Sequence, residues 1–287
     1  MFGSQILEVV IGIIFVYWLL SLISSSLNEI ISRIFSMRAR DLERGIRNLL
    51  EDPDGTELAK KFYDHSLIRG LKRKGKNPSY IPSRTFALAL MDIITPADFK
   101  GGLKKFEEIK DIVAKIQVDK LREAMLPLIN KAEFRLNKVY ENVEDWFNDA
   151  MESVSSWYKQ KTQLIVILLA LIISVAFNAD TLMITNNFYE DAALRASVAA
   201  IAEEAIRQPI SLESEPSLEK IKQYQEELLE VQLPLGWYET PKGIGDWVMK
   251  VLGLLLTTVA VSLGAPFWFD LLNKFVSLRP TGKKDKT

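Results

Sequence analysis

Few residues of this chain are of types and spacings that could do chemistry. Gly70, Gly75 and Lys76 stand in GLKRKGK, the spacing of a loop whose backbone N–H groups surround phosphates while its lysine contacts them. Asn77 occupies the position where a hydroxyl should hold magnesium, Pro78 follows where a helix should begin, and no β-branched strand precedes Gly70. Nucleotide binding is therefore not expected. Arg69, Lys72, Arg73, Lys74 and Lys76 make the same stretch a compact basic patch. A solvated loop accounts for it; the functional alternative is contact with anionic lipid head groups, to which each basic residue contributes roughly 1 kcal/mol. With few aromatics interleaved, nucleic-acid binding is not expected. His65, the single histidine, sits beside Asp64 without a nucleophile or second acid nearby in sequence, so it reads as a surface or helix-end residue. Cysteine is absent, which excludes disulfides, thiolate metal sites and cysteine nucleophiles. No catalytic residue, metal site or cofactor is assigned, and the chain does not read as an enzyme.

Polar residues set into apolar runs are the better clue, because burying them in hydrocarbon is costly and they usually face a partner or a cavity. The runs cover residues 6–23, 164–183 and 248–271. Each is about long enough to cross roughly 30 Å of hydrocarbon at 1.5 Å per residue. Read as spans, they place Glu8, Asn178, Asp180 and Lys250 at similar depth toward the outer side. An ion pair from Lys250 to Asp180 or Glu8 would lock the helices together, and ion or proton conduction is the sharper alternative. Toward the inner side, Glu29, Arg33 and Asp270 form a second candidate cluster. Gly253, Thr257, Ala260 and Gly264 share one face of the third run, and Ala170, Ser174 and Asn178 one face of the second, so close helix contacts are expected there. Pro266 should kink the third span, since it removes a backbone N–H.

The elements that must position these residues follow from charge and periodicity. Arg33, Arg38, Arg40, Arg44 and Arg47 follow the first run, Lys159 and Lys161 precede the second, and the tail carries Lys274, Arg279, Lys283, Lys284 and Lys286. The segment between the second and third runs is acidic instead. The positive-inside rule then puts the N-terminus out and the C-terminus in. The expectation is an all-α, three-span integral membrane protein. Its parts are a first transmembrane helix (1–32), a cytoplasmic helical domain (33–161), a second span (162–184), an acidic extracytoplasmic helical segment (185–246), a third span (247–272) and a basic cytoplasmic tail (273–287).

Inside the cytoplasmic domain, Leu42, Ile46 and Leu49 mark a short amphipathic helix ending at the Asp52–Gly55 turn; Thr56, Ser83 and Thr95 offer later helix starts. Ala132, Leu136, Val139, Val143, Trp146, Ala150, Val154 and Trp157 step by threes and fours. They predict one long helix from about Leu128 to Lys161, on the order of 50 Å if unbroken, whose seam packs on the chain's own helices or builds a self-associating stalk. In the outer segment Leu194, Val198, Ile201 and Ala205 form one stripe, the acidic stretch 211–217 reads as a linker, and Leu218, Ile221, Leu228 and Val231 suggest a further helix.

Five stretches carry a resemblance: NPSYIPSRTFALAL (77–90), WYKQKTQ (157–163), NADT (178–181), LPLGW (233–237) and SLGAPFWFDLLN (262–273). Together they are similar to a family of uncharacterised bacterial inner-membrane proteins with the last motif near the C-terminus. The resemblance implies the bacterial cytoplasmic membrane and transfers no activity, ligand or catalytic residue. The functional expectation is a membrane anchor or scaffold, with protein partners or copies of itself; the alternative is a homo-oligomeric channel or membrane-perturbing effector.

Overall fold

A computed structural model describes residues 2–52, 54, 57–72, 75–95, 106–207, 235–237 and 240–278. Several features expected from sequence lie outside these: the Thr56 cap, Arg73 and Lys74, the 211–217 linker, the helix around Leu218 to Val231, and the tail beyond Leu278. Every regular element among the described residues is helical. The chain divides into two compact units, one of residues 1–34 with 161–287, the other of residues 35–160.

The first unit is organised around α1 (Phe2–Ile34). From Val9 to Ile23 this helix is apolar on every side apart from Ser21, and a helix of that kind has no face to give to water. Its most apolar window is 72% buried. Around it pack α9 (Thr181–Glu190), α10 (Ala192–Arg207), α11 (Ile244–Ser262) and α12 (Ala265–Ser277). Ile11, Trp18, Leu19, Leu20 and Phe188 are fully buried among them. Among the described residues three helices, α1, α8 (Leu136–Ala176) and α11, are long and apolar enough to cross a membrane.

Two of the three apolar runs are not single helices. The second was expected to continue through Met183, but α8 ends at Ala176. Asn178 adopts a left-handed conformation (φ 49°), which asparagine tolerates better than most residues. The Asn178 N–H donates to the Val175 carbonyl at 3.1 Å and the Ala179 N–H to the Ser174 carbonyl at 2.8 Å, closing the helix end. Asp180 then caps α9, its Oδ1 accepting from the Leu182 and Met183 N–H groups at 2.9 and 3.3 Å. In the third run, Gly264 takes φ 90°, ψ 157°, a region that side chains rarely enter. Pro266 falls in the first turn of α12, where its missing N–H has no helical partner to lose. The expected kink is thus a break, bridged by the Trp268 indole donating to the Ala260 carbonyl at 2.6 Å.

Residues 185–207 belong to the stretch expected as an acidic helical segment between the second and third spans, and α10 within it is a helix. Val198, Ala199 and Ala202 of α10 are buried in the same core as Val9, Ile11 and Phe15 of α1. The small side chains on that face let α10 approach α1 closely, whereas the stripe read from sequence included Ile201, which is 39% exposed.

In the second unit α2 (Met37–Leu49), α3 (Leu58–Asp64), α4 (Ser66–Arg69), α5 (Ser83–Ile94), α6 (Phe106–Ala114), α7 (Asp119–Asn130) and the first part of α8 enclose a core of their own. Its centre is aromatic: Phe86 stacks on Phe147 with ring centroids 4.2 Å apart and meets Phe62 at 5.2 Å. Asp52 caps α3, its Oδ2 accepting from the Glu57 and Ala59 N–H groups at 3.0 and 2.8 Å. The long helix begins at Leu136 rather than Leu128, because Glu133 and Phe134 both take positive φ and end the preceding turn. Of its seam, Val139, Val143 and Val154 are buried and Trp157 is 44% exposed.

Candidate functional site

The polar residues of the apolar unit gather at the break between α8 and α9. Lys250 on α11 reaches Asp180, Nζ to Oδ2 3.4 Å, with side chains only 9% and 6% exposed. The ammonium also lies 3.9 Å from the Met183 sulfur and 5.5 Å from the centre of the Trp237 ring. The Asp180 carboxylate therefore does two jobs: one oxygen caps α9 and the other holds α11. Gly253, one turn after Lys250, is where α11 passes the carboxylate, and a Cβ there would overlap Asp180. Gly253→Ala is accordingly expected to cost about 1–3 kcal/mol through overpacking. Thermal unfolding in detergent checks it, and an unchanged midpoint would mean that the close approach is not kept in solution.

A short strap covers this break. The Gly236 N–H donates to the Phe177 carbonyl at 2.8 Å, the Asn178 amide donates to the Gly236 carbonyl at 2.6 Å, and the Trp237 indole N–H donates to the Val175 carbonyl at 2.9 Å. The first gives a partner to the Phe177 carbonyl just past the end of α8, and the third is a second bond to the Val175 carbonyl, which already accepts from the Asn178 N–H. Gly236, with φ 120°, supplies the backbone conformation that brings Trp237 over Lys250.

One turn deeper, three hydroxyls from three helices line up. Tyr17 Oη is 2.8 Å from Thr181 Oγ1, which is 2.8 Å from Thr257 Oγ1. Because the Thr257 hydroxyl donates to the Gly253 carbonyl at 3.1 Å, it accepts from Thr181, which in turn accepts from Tyr17. Each hydroxyl has a single proton, so the chain has one direction.

Glu8 does not join Lys250. It pairs with Arg195 of α10 at 3.6 Å, and the Arg195 guanidinium also donates to the Phe188 and Tyr189 carbonyls at 2.7 and 3.1 Å, at the negative end of the α9 dipole. Sequence reading missed Arg195, Tyr17, Thr181 and the strap. An arginine inside the Leu194–Ala205 stripe was the available signal for the first; the LPLGW motif was the signal for the strap.

The other candidates stand apart. Glu29 and Arg33 pair at 3.2 Å one turn apart on α1, both half exposed, while Asp270 lies exposed on α12 and takes no part in that pair. Thr257 and Ala260 are buried on the small-residue face of α11, as are Ala170, Ser174 and Asn178 at the end of α8. His65 opens α4 and meets Asp92 at 3.2 Å, Nε2 to Oδ2. Gly75 and Lys76 are followed by extended chain and Pro82 before α5 starts, so no helix N-terminus faces them. In the basic patch Arg69 and Lys76 are exposed, but Lys72 lies 5.9 Å over the Tyr63 ring. Burial pushes the Tyr63 phenol well above its ordinary pKa, and the Glu43 carboxylate adds to the rise. Among the described residues no group of three or more His, Asp and Glu side chains could hold a metal ion.

With three helices among the described residues apolar enough to cross a membrane, a buried ion pair between Asp180 and α11, and a hydroxyl chain joining α1, α9 and α11, the described chain has the build of a multi-pass helical bundle. Comparison with protein-family models, with curated proteins and with solved structures gives no match.

Proposed function

We propose that this chain is a three-span protein of the bacterial cytoplasmic membrane, N-terminus out and C-terminus in, that anchors or organises partner proteins through residues 35–160. The observation that carries this reading is the division of the chain. One unit holds α1 and α11 and the buried ion pair that ties α11 to the start of α9; the other builds a separate core. A scaffold needs both parts, a locked membrane anchor and an aqueous domain with a surface of its own. Its polar layer then works as a clamp: a buried pair held by capping and hydrogen bonds fixes one arrangement of helices.

A second reading, a homo-oligomeric channel or membrane-perturbing effector, is favoured by one observation. The apolar window of α8 is only 17% buried, against 72% for α1, which leaves Leu164, Leu168, Leu171 and Ile172 to meet lipid or other copies. The deciding experiment is extraction from native membranes in mild detergent, followed by light scattering and mass spectrometry of the complex. Stoichiometric foreign subunits are expected. A closed ring of identical chains would overturn the scaffold reading in favour of the channel, with conductance in liposomes as the next measurement.

A further inference from the structure

The second unit contains a cavity of about 390 Å³ between α2, the Ser79–Ile81 stretch and α8, within the size range of sites that bind small amphiphiles. Its lining is graded. Leu42, Phe147 and Val154 are buried and make an apolar floor, with the partly buried Met151 beside them. At the mouth stand Arg38 and Lys159, both exposed. One carboxylate also lines the space, Asp41, and Arg44 lies 3.8 Å from it, which offsets its charge. The remaining polar groups, such as the Ser79 and Ser155 hydroxyls, are donors as well as acceptors.

The two cations are close in sequence to the apolar helices. Arg38 lies in the first turn of α2, directly after α1 ends at Ile34. Lys159 lies on α8, and about 8 Å of the same unbroken helix separates it from Leu164, where the apolar run starts. That distance is close to the depth of the head-group layer on each side of a bilayer, roughly 5–7 Å. Tyr80 is 66% exposed and Trp157 44% exposed, the aromatic residues that favour this layer.

We propose that this cavity is a phospholipid site: an acyl chain enters the floor between Leu42 and Phe147 while the phosphate is held at the mouth by Arg38 and Lys159. An apolar slot beside two cations that lie a few residues from the apolar helices matches that ligand at both ends. It is separate from the basic patch at Arg69 to Lys76, since Arg69, Lys72 and Lys76 do not line it. The proposal rests on α8 entering a bilayer, which resistance of the chain to alkaline extraction of membranes tests separately.

The binding test uses the full chain, delipidated in nonionic detergent and titrated with phosphatidylglycerol in the same micelles, with native mass spectrometry counting bound lipid. Wild type is expected to bind one phospholipid saturably. Arg38→Ala with Lys159→Ala should weaken binding about 30-fold, as loss of two head-group cations predicts, and should bind diacylglycerol as wild type does. Met151→Trp should fill the floor and abolish binding; because it can perturb folding, the double alanine variant at the exposed mouth carries the decision. Substituting Arg69 and Lys76 should change nothing. Equal phospholipid affinity in wild type and the double alanine variant, or no saturable binding in wild type, would overturn the proposal.

Discussion

Replacing Lys250 by methionine is expected to destabilise the apolar unit by about 3–5 kcal/mol, the cost of leaving a buried carboxylate without its counter-charge. Asp180 is 4% exposed, and its Oδ2 has the Lys250 ammonium as its cation at 3.4 Å. In such surroundings a charge is poorly screened, so losing the partner costs more than the net worth of the pair. Methionine keeps most of the length and apolar body of lysine, which separates charge from packing. The companion variant is Asp180→Asn together with Lys250→Met. Asparagine also caps helices well, so the double variant should recover much of the loss, and thermal unfolding in detergent of the two single variants and the double measures the coupling. If Lys250→Met melts with the wild type, the pair is no clamp and the polar layer must be explained otherwise.

The second large effect is expected at Phe86→Ala, in the other unit. Phe86 is fully buried, stacked on Phe147 and in contact with Phe62, and truncating a buried phenylalanine costs about 3–5 kcal/mol. A domain has only about 5–15 kcal/mol to lose. Because residues 35–160 build a core of their own, the damage should stay there. Limited proteolysis of the purified variant is expected to cut within 35–160 while the fragment containing α11 and α12 survives. Loss of both units at one midpoint, with no selective cleavage, would show that the two fold as a single cooperative body. The contrast between the two variants is itself informative, since Lys250→Met should leave residues 35–160 resistant.

How much of this was legible beforehand depended on whether the deciding physics is local. Long apolar runs and helical periodicity depend only on residue types at fixed spacing, and three helices of sufficient length and apolarity are present. The short α2 with Leu42 and Ile46 buried follows from the same rule. Asp180 and Lys250 were singled out because a charge in an apolar run is costly wherever it lies, and the cheapest remedy is another charge. Their pairing at 3.4 Å, however, required α9 and α11 to meet.

Sequence by itself determined the helical character, the three apolar helices and the stock of charges available to them. Tertiary structure decided which charges met: Glu8 went to Arg195, because α10 packs its small face on α1 and carries the guanidinium to the end of α9. It also decided where the runs break. Asn178 and Gly264 are each compatible with continuing a helix, at a cost of about 1 kcal/mol or less relative to alanine. That small preference is outweighed when the broken form lets Asp180 cap α9, the strap bond to the end of α8 and Trp268 bridge to Ala260. Bonds between residues nearly sixty positions apart, such as Asn178 to Gly236, leave no periodic trace in the chain, and so only the folded structure could reveal them.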